Sequence, residues 1–170
     1  MGVFDESKCN CCVCPMQCVL EQLVGNQIVI ATTSGSGGVT LFNVDNFIAF
    51  TSEGDFPICN ISAVDLLDVN INIKLKPIRN NKGRCSCCED PITNLAKTLI
   101  RQQVGIEFIP TFGAGTIVNV GEGIIDFKSF VVSSCFTTRI IPNNQQQTFE
   151  ASSGSIFGRP LHKITPPLIN

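Results

Sequence analysis

The cysteines fall at positions 9, 11, 12, 14, 18, 59, 85, 87, 88 and 135, and they carry a repeat. Subtracting 76 from Cys85, Cys87, Cys88 and Cys135 returns Cys9, Cys11, Cys12 and Cys59. The same gapless offset matches Pro15 with Pro91, Leu23 with Leu99, Gln27 with Gln103 and Gly37 with Gly113. It also matches Thr40 with Thr116, Asn43 with Asn119, Val44 with Val120 and Ile48 with Ile124. Chance identity is roughly 6% per position for an average composition, far below what residues 9–62 and 85–138 share. A fixed internal period constrains a chain more than any local propensity: two copies of one supersecondary unit must stack.

Each copy follows one grammar. A cysteine cluster with a proline comes first. A short amphipathic stretch follows, Cys18 to Val24 in the first copy and Asn94 to Ile100 in the second. Apolar residues at 19, 20, 23 and 24, and at 95, 96, 99 and 100, make one helical face, and Asn94 is placed to cap the second helix. Strands are predicted over 27–32, 39–44, 46–51, 56–61 and 64–67, with turns at 34–38 and 52–55. The second copy repeats them over 104–110, 115–120, 124–130 and 131–141. Gly35, Gly37, Gly113 and Gly115 read as turn glycines, since no helix follows them to hold a phosphate. The resulting division is a Cys-rich arm (1–18), a β-rich unit (19–68), a linker or strand (69–84), a second unit (85–141) and a polar, Pro-containing tail or arm (142–170).

A short helix followed by four or five strands, with an apolar-Pro-apolar strand late in the unit, resembles the Sm-like small barrel. Leu23-Val24-Gly25-Asn26-Gln27-Ile28-Val29-Ile30 and Phe56-Pro57-Ile58-Cys59-Asn60-Ile61 carry the resemblance. It implies a mainly β protein of two tandem small β-barrels (Sm-like or SH3-like), each led by a short helix. The alternative is a single two-sheet β-sandwich built jointly by both halves.

Composition narrows the function. Charged residues are 15% of the chain and the net charge is -2, so no basic field is present to hold nucleic acid or an anionic membrane. Trp and Tyr are absent while Phe occurs 12 times, which takes away the side chains that recognition surfaces favour. A weakly charged surface is poorly protected against self-association. The opening Met1 to Lys8 lacks a basic start followed by an apolar core, and no apolar run reaches membrane-spanning length. Synthesis in a cytoplasm without a signal peptide is therefore expected. His162, in the tail, is the only histidine, and no nucleophile–base pair or metalloprotease motif is visible. The expectation is a protein that is not an enzyme and needs no cofactor.

Ten cysteines in such a chain need a use, because cytoplasmic thiols stay reduced. Cys9, Cys11, Cys12, Cys14, Cys18, Cys85, Cys87 and Cys88 are expected to cross-link by disulfides, between subunits or between units. The alternative is structural zinc, since Cys9/Cys12, Cys11/Cys14 and Cys85/Cys88 have C-x2-C spacing. Cys59 and Cys135 lie in apolar strands and read as buried thiols.

The run Cys9-Asn10-Cys11-Cys12-Val13-Cys14-Pro15-Met16-Gln17-Cys18, with a Phe-, Ile- and Val-rich β body, resembles the cysteine-rich spore-coat and exosporium proteins of endospore-forming bacilli. The resemblance implies synthesis in the mother cell, assembly into a fibre or surface layer, oxidation after lysis and a final place at the spore surface. It implies a partner that is the chain itself, joined head to tail as two similar units allow, with other spore-surface proteins as further contacts. The rival class is a zinc-stabilised, non-catalytic binding module.

Overall fold

A computed structural model describes residues 11–78 and 89–143. Helix α1 spans Val13–Glu21. It starts a turn earlier than its apolar face suggested, inside the cysteine cluster, because Pro15 falls in the first turn, where a missing N–H costs nothing. Its counterpart α2, Asp90–Thr98, begins in the same way, with Pro91 in the first turn and Asp90 against the positive end of the helix. Asn94 is therefore exposed in mid-helix and caps nothing.

The strands repeat at the cysteine offset. The first unit holds β1 (Gln27–Thr32), β2 (Gly35–Asp45), β3 (Ile48–Thr51), β4 (Gly54–Pro57), a 3₁₀ turn (Ile58–Asn60) and β5 (Ile61–Leu66). The second holds β6 (Gln103–Phe108), β7 (Thr111–Thr116), β8 (Asn119–Gly121), β9 (Ile124–Asp126), β10 (Phe130–Ser133), a 3₁₀ turn (Ser134–Phe136) and β11 (Thr137–Pro142). Register repeats too: Gln27 faces Thr40 as Gln103 faces Thr116, and Ile28 faces Leu66 as Val104 faces Pro142. So do single hydrogen bonds: Gly25 and Arg101 donate their N–H to Leu41 and Ile117, and Ile58 and Ser134 donate theirs to Phe47 and Gly123. Ile30 and Ile106, both fully buried, are a further identical pair in the repeat.

The strands form an eight-stranded antiparallel sheet, β4-β3-β2-β1-β5-β10-β9-β8, and a three-stranded sheet, β11-β6-β7. The second unit is divided between the sheets because the irregularity between Leu41 and Asn43 on β2 becomes a full break between β7 and β8. Among the described residues no pairing closes either sheet on itself. The described residues form two cores. One gathers Met16, Leu20, Leu23, Ile28, Ile30, Leu41, Ile58 and Ile61. The other gathers Val104, Ile106, Ile117, Ile125, Phe127 and Val132. Each core is filled mainly by one unit, as expected if each repeat buries its own apolar face.

The units meet where β5 pairs antiparallel with β10: Phe130 faces Asp65, Val131 faces Val64 and Val132 faces Ala63. The polar–apolar alternation over 70–76 favours a strand in the linker. The segment is extended yet pairs with no strand among the described residues: Ile71, Ile73 and Leu75 pack on the first core. The Gln22 side chain stands in for a neighbouring strand. Its amide donates to the Lys74 carbonyl at 3.0 Å and its oxygen accepts the Lys74 N–H at 2.8 Å. Gly113 and Gly115 lie within β7 rather than in a turn, as Gly35 and Gly37 lie within β2. A Cβ at Gly113 or Gly115 would come within 3.1 Å of the Phe130 or Phe127 ring, and those rings stack with centroids 4.5 Å apart.

Candidate functional site at the seam between the units

Cys12 stands just before α1, and Cys135 sits in the 3₁₀ turn that follows β10. Because β10 lies beside β5, the turn is carried onto the start of α1, and the two cysteines form a disulfide with Cα atoms 6.0 Å apart, within the span such a bond allows. The bond joins the two repeat units across 123 residues of chain. The surroundings hold both sulfurs. The Cys135 N–H donates to Cys12 Sγ at 3.1 Å and the Cys12 N–H to Cys135 Sγ at 3.4 Å. Ser134 Oγ lies 3.5 Å from Cys12 Sγ and accepts the Thr93 hydroxyl at 3.2 Å.

Glu89, only 2% exposed, is the residue before α2. Its Oε2 lies 3.6 Å from Cys12 Sγ. A disulfide sulfur carries no proton, so only the thiol form of Cys12 donates there. Gly123 closes the other side. Its φ is +63°, and a Cβ there would sit 3.0 Å from Glu89 Cδ and 3.1 Å from Cys12 Sγ. A small apolar cleft of about 100 Å³ opens beside the bond, lined by Cys11, Cys12, Ile58, Cys59, Cys135 and Phe136 among others.

Two carboxylates flank the same joint. Asp126 on β9 and Asp65 on β5 both face residues of β10. Burial pushes the Asp126 carboxyl up, against the Lys128 N–H it accepts and the Lys128 charge, which pull it down. Burial also raises Asp65.

This arrangement supports two kinds of chemistry. Oxidised, it is a covalent clamp with a thiol, Cys59, on the same cleft. Reduced, Cys12, Cys135 and Glu89 would present two sulfurs and a carboxylate with donor atoms within 4.8 Å of one another. Two thiolates and a carboxylate suit zinc as three of its four ligands.

The expected cross-linking set is partly gathered here. Cys12 is in the clamp, Cys11 and Cys14 are also disulfide-bonded, and Cys18 lies half-buried on α1. Cys9, Cys85, Cys87 and Cys88 lie outside the described residues, as does the tail from 144 with its His162. Two expectations are corrected. Cys135 is not a buried thiol but half of the clamp. Cys59 is a thiol, but an exposed one. Both depend on the neighbour: the second unit's 3₁₀ turn is bonded to the first unit's leading segment, while Cys59, in the first unit's turn, opens onto the cleft beside that bond. Glu89, Gly123 and Ser134 belong to no motif in the sequence that marks them as site residues. The signal for Gly123 was present in Val120-Gly121-Glu122-Gly123, a tight turn between apolar residues.

No helix is long and apolar enough to cross a membrane among the described residues. Comparison with protein-family models, curated proteins and solved structures returns no match.

Proposed function

We propose that the chain is a non-catalytic structural subunit that assembles with copies of itself, head to tail, into a disulfide-stabilised fibre or layer. The observation that carries this reading is the Cys12–Cys135 clamp: one repeat unit is sewn to the next by a shared sheet and a covalent bond across it. A unit that joins its own duplicate in this manner is suited to joining a further copy. Low charge and exposed Phe42, Phe112, Leu67 and Val69 favour contact between chains over isolation in water. The separate core of each unit supports the finer view that each repeat is an independent small β module of Sm-like kind. The resemblance of the cysteine-rich opening to spore-coat and exosporium proteins adds a setting, the spore surface, where oxidation after lysis would form the bonds.

The test is denaturing electrophoresis of the protein with and without reductant, with negative-stain microscopy of the same sample. Ladders that collapse on reduction to one band of 18.4 kDa, together with filaments or sheets, are expected. A single monomer band both ways, with discrete particles, would overturn the reading. The second reading is a zinc-stabilised binding module, favoured by the Cys12, Glu89 and Cys135 donor group. It requires the reduced protein to take up zinc stoichiometrically and to lose its fold with a chelator.

A further inference from the structure

We infer that β4 and β11 are the two halves of one intermolecular joint, in which β11 of one copy pairs antiparallel along β4 of the next in the register that β5 and β10 use inside the chain. The inference rests on the assembly reading above and gives it a partner surface and a register.

Strand order carries the argument. Within the first unit the order is fourth, third, second, first, fifth; the fourth strand of the second unit, β10, then lies beside that fifth strand, β5. The joint is thus fifth strand on fourth strand. One of each is left over: β4 ends the large sheet and β11 ends the small one, with no strand beyond either among the described residues. Shifting the internal pairs Asp65–Phe130, Val64–Val131 and Ala63–Val132 by the repeat offset sets Ile141 opposite Gly54, Ile140 opposite Asp55, and Arg139 opposite Phe56.

Backbone polarity agrees. The Phe127 N–H donates to the Phe130 carbonyl, and at the equivalent place the Thr51 hydroxyl donates to the Gly54 carbonyl at 2.6 Å. Both carbonyls therefore face their own hairpin. The next residue, Val131 or Asp55, turns its N–H and C=O to the other side. Exposed pairing edges are normally blocked by proline or by charge. Pro57, however, stands where Ser133 does, beyond the paired stretch. Pro142 takes the place of Leu66, whose N–H donates to Ser129, so the joint between copies has one hydrogen bond fewer than the internal one.

Cys59 completes the correspondence, because it occupies in the first unit the place of Cys135 and is exposed. On docking, Cys59 and a thiol of the incoming copy give up two protons and two electrons to dioxygen, which leaves as peroxide, and one S–S bond forms. The repeat counterpart of Cys12 is Cys88, which lies outside the described residues; peptide mapping identifies the cysteine that reacts.

The experiment is hydrogen–deuterium exchange on the full-length chain, as reduced monomer and as oxidised assembly, with Asp55→Pro and Cys59→Ser alongside. Peptides covering β4 and β11 are expected to slow by about tenfold or more in the assembly alone. Asp55→Pro removes only an outward N–H and is expected to stay monomeric where the wild type assembles, with an unchanged melting temperature. Cys59→Ser is expected to assemble but to come apart in denaturant without reductant. If the wild type assembles while both strands exchange as freely as in the monomer, the joint is overturned and the assembly reading stands. Protection of β4 alone assigns that edge to the chain's own residues 144–170 and overturns the joint as well. A wild type that remains monomeric after oxidation removes the assembly reading, and this inference with it.

Discussion

Gly123 shows how tightly a single position is bound to the seam. Its backbone is left-handed, which favours glycine, and the closeness of Cys12 Sγ and the Glu89 carboxyl leaves no room for a side chain. The repeat counterpart, Phe47, has almost the same φ, +62°, yet carries a ring. Backbone conformation alone therefore tolerates a side chain, and contact with the clamp decides the residue. Gly123→Ala is expected to destabilise by about 2–3 kcal/mol, the sum of left-handed strain and overpacking, read as a lower urea midpoint with an unchanged slope. Asp126 gives a test by pH. Its carboxyl is raised by burial in the folded protein, so the folded state holds that proton more firmly than the unfolded chain does. The associated stability is present below the ordinary carboxylate range and is lost as pH rises through the folded value. Asp126→Asn keeps the acceptor for the Lys128 N–H without the buried charge. It is expected to melt higher than wild type at neutral pH, with the gap closing as pH falls, as followed by thermal denaturation between pH 4 and 7.

At the scale of elements, the chain uses side chains where a strand partner is missing. The segment from Ile71 to Leu75 has no strand neighbour among the described residues, and Gln22, just after α1, pairs with both backbone groups of Lys74. Gln22→Ala removes three exposed hydrogen bonds, two to Lys74 and one to the Cys18 carbonyl, about 1–2 kcal/mol. The expected result is faster protease cleavage within 71–78, with little change in the melting temperature of the two cores. The linker is also pinned from the other side. A Cβ on Gly121 would meet Leu75 Cβ at 2.5 Å and the Lys76 carbonyl at 2.6 Å. The cross-strand ion pair Arg139–Glu107 between β11 and β6 is well exposed, and exposed pairs of this kind contribute little to stability.

For the whole molecule, the clamp sets how independent the two units are. Closing a loop of this length removes up to about 4–5 kcal/mol of chain entropy from the unfolded state. The effect of this one bond is smaller because Cys11 and Cys14 also sit in disulfides. Cys12→Ser with Cys135→Ser is expected to lower stability by about 2–4 kcal/mol. It is also expected to unfold in two transitions where the clamped protein unfolds in one, since each core is filled mainly by one unit. Calorimetry with one sharp transition at the wild-type temperature would contradict this.

The amino-acid sequence alone carried the repeat, and with it much of the architecture. The offset read from four cysteines is the offset at which strands, registers and turns recur, because two copies of one pattern of apolar spacing must fold alike. β1 was legible to the residue from its β-branched run. The sequence also pointed to a mainly β body and two short helices, though it set both helix starts late, since proline reads as a breaker until its place in the first turn is known. It could not tell Cys59 from Cys135, which have the same local setting and opposite fates. What separates them is whether another unit lies alongside, and the packing of β5 on β10 alone decides that. The open sheets, the place of Glu89 against the clamp and the unequal edges β4 and β11 are likewise tertiary facts, for each depends on residues far apart in the chain meeting at one seam.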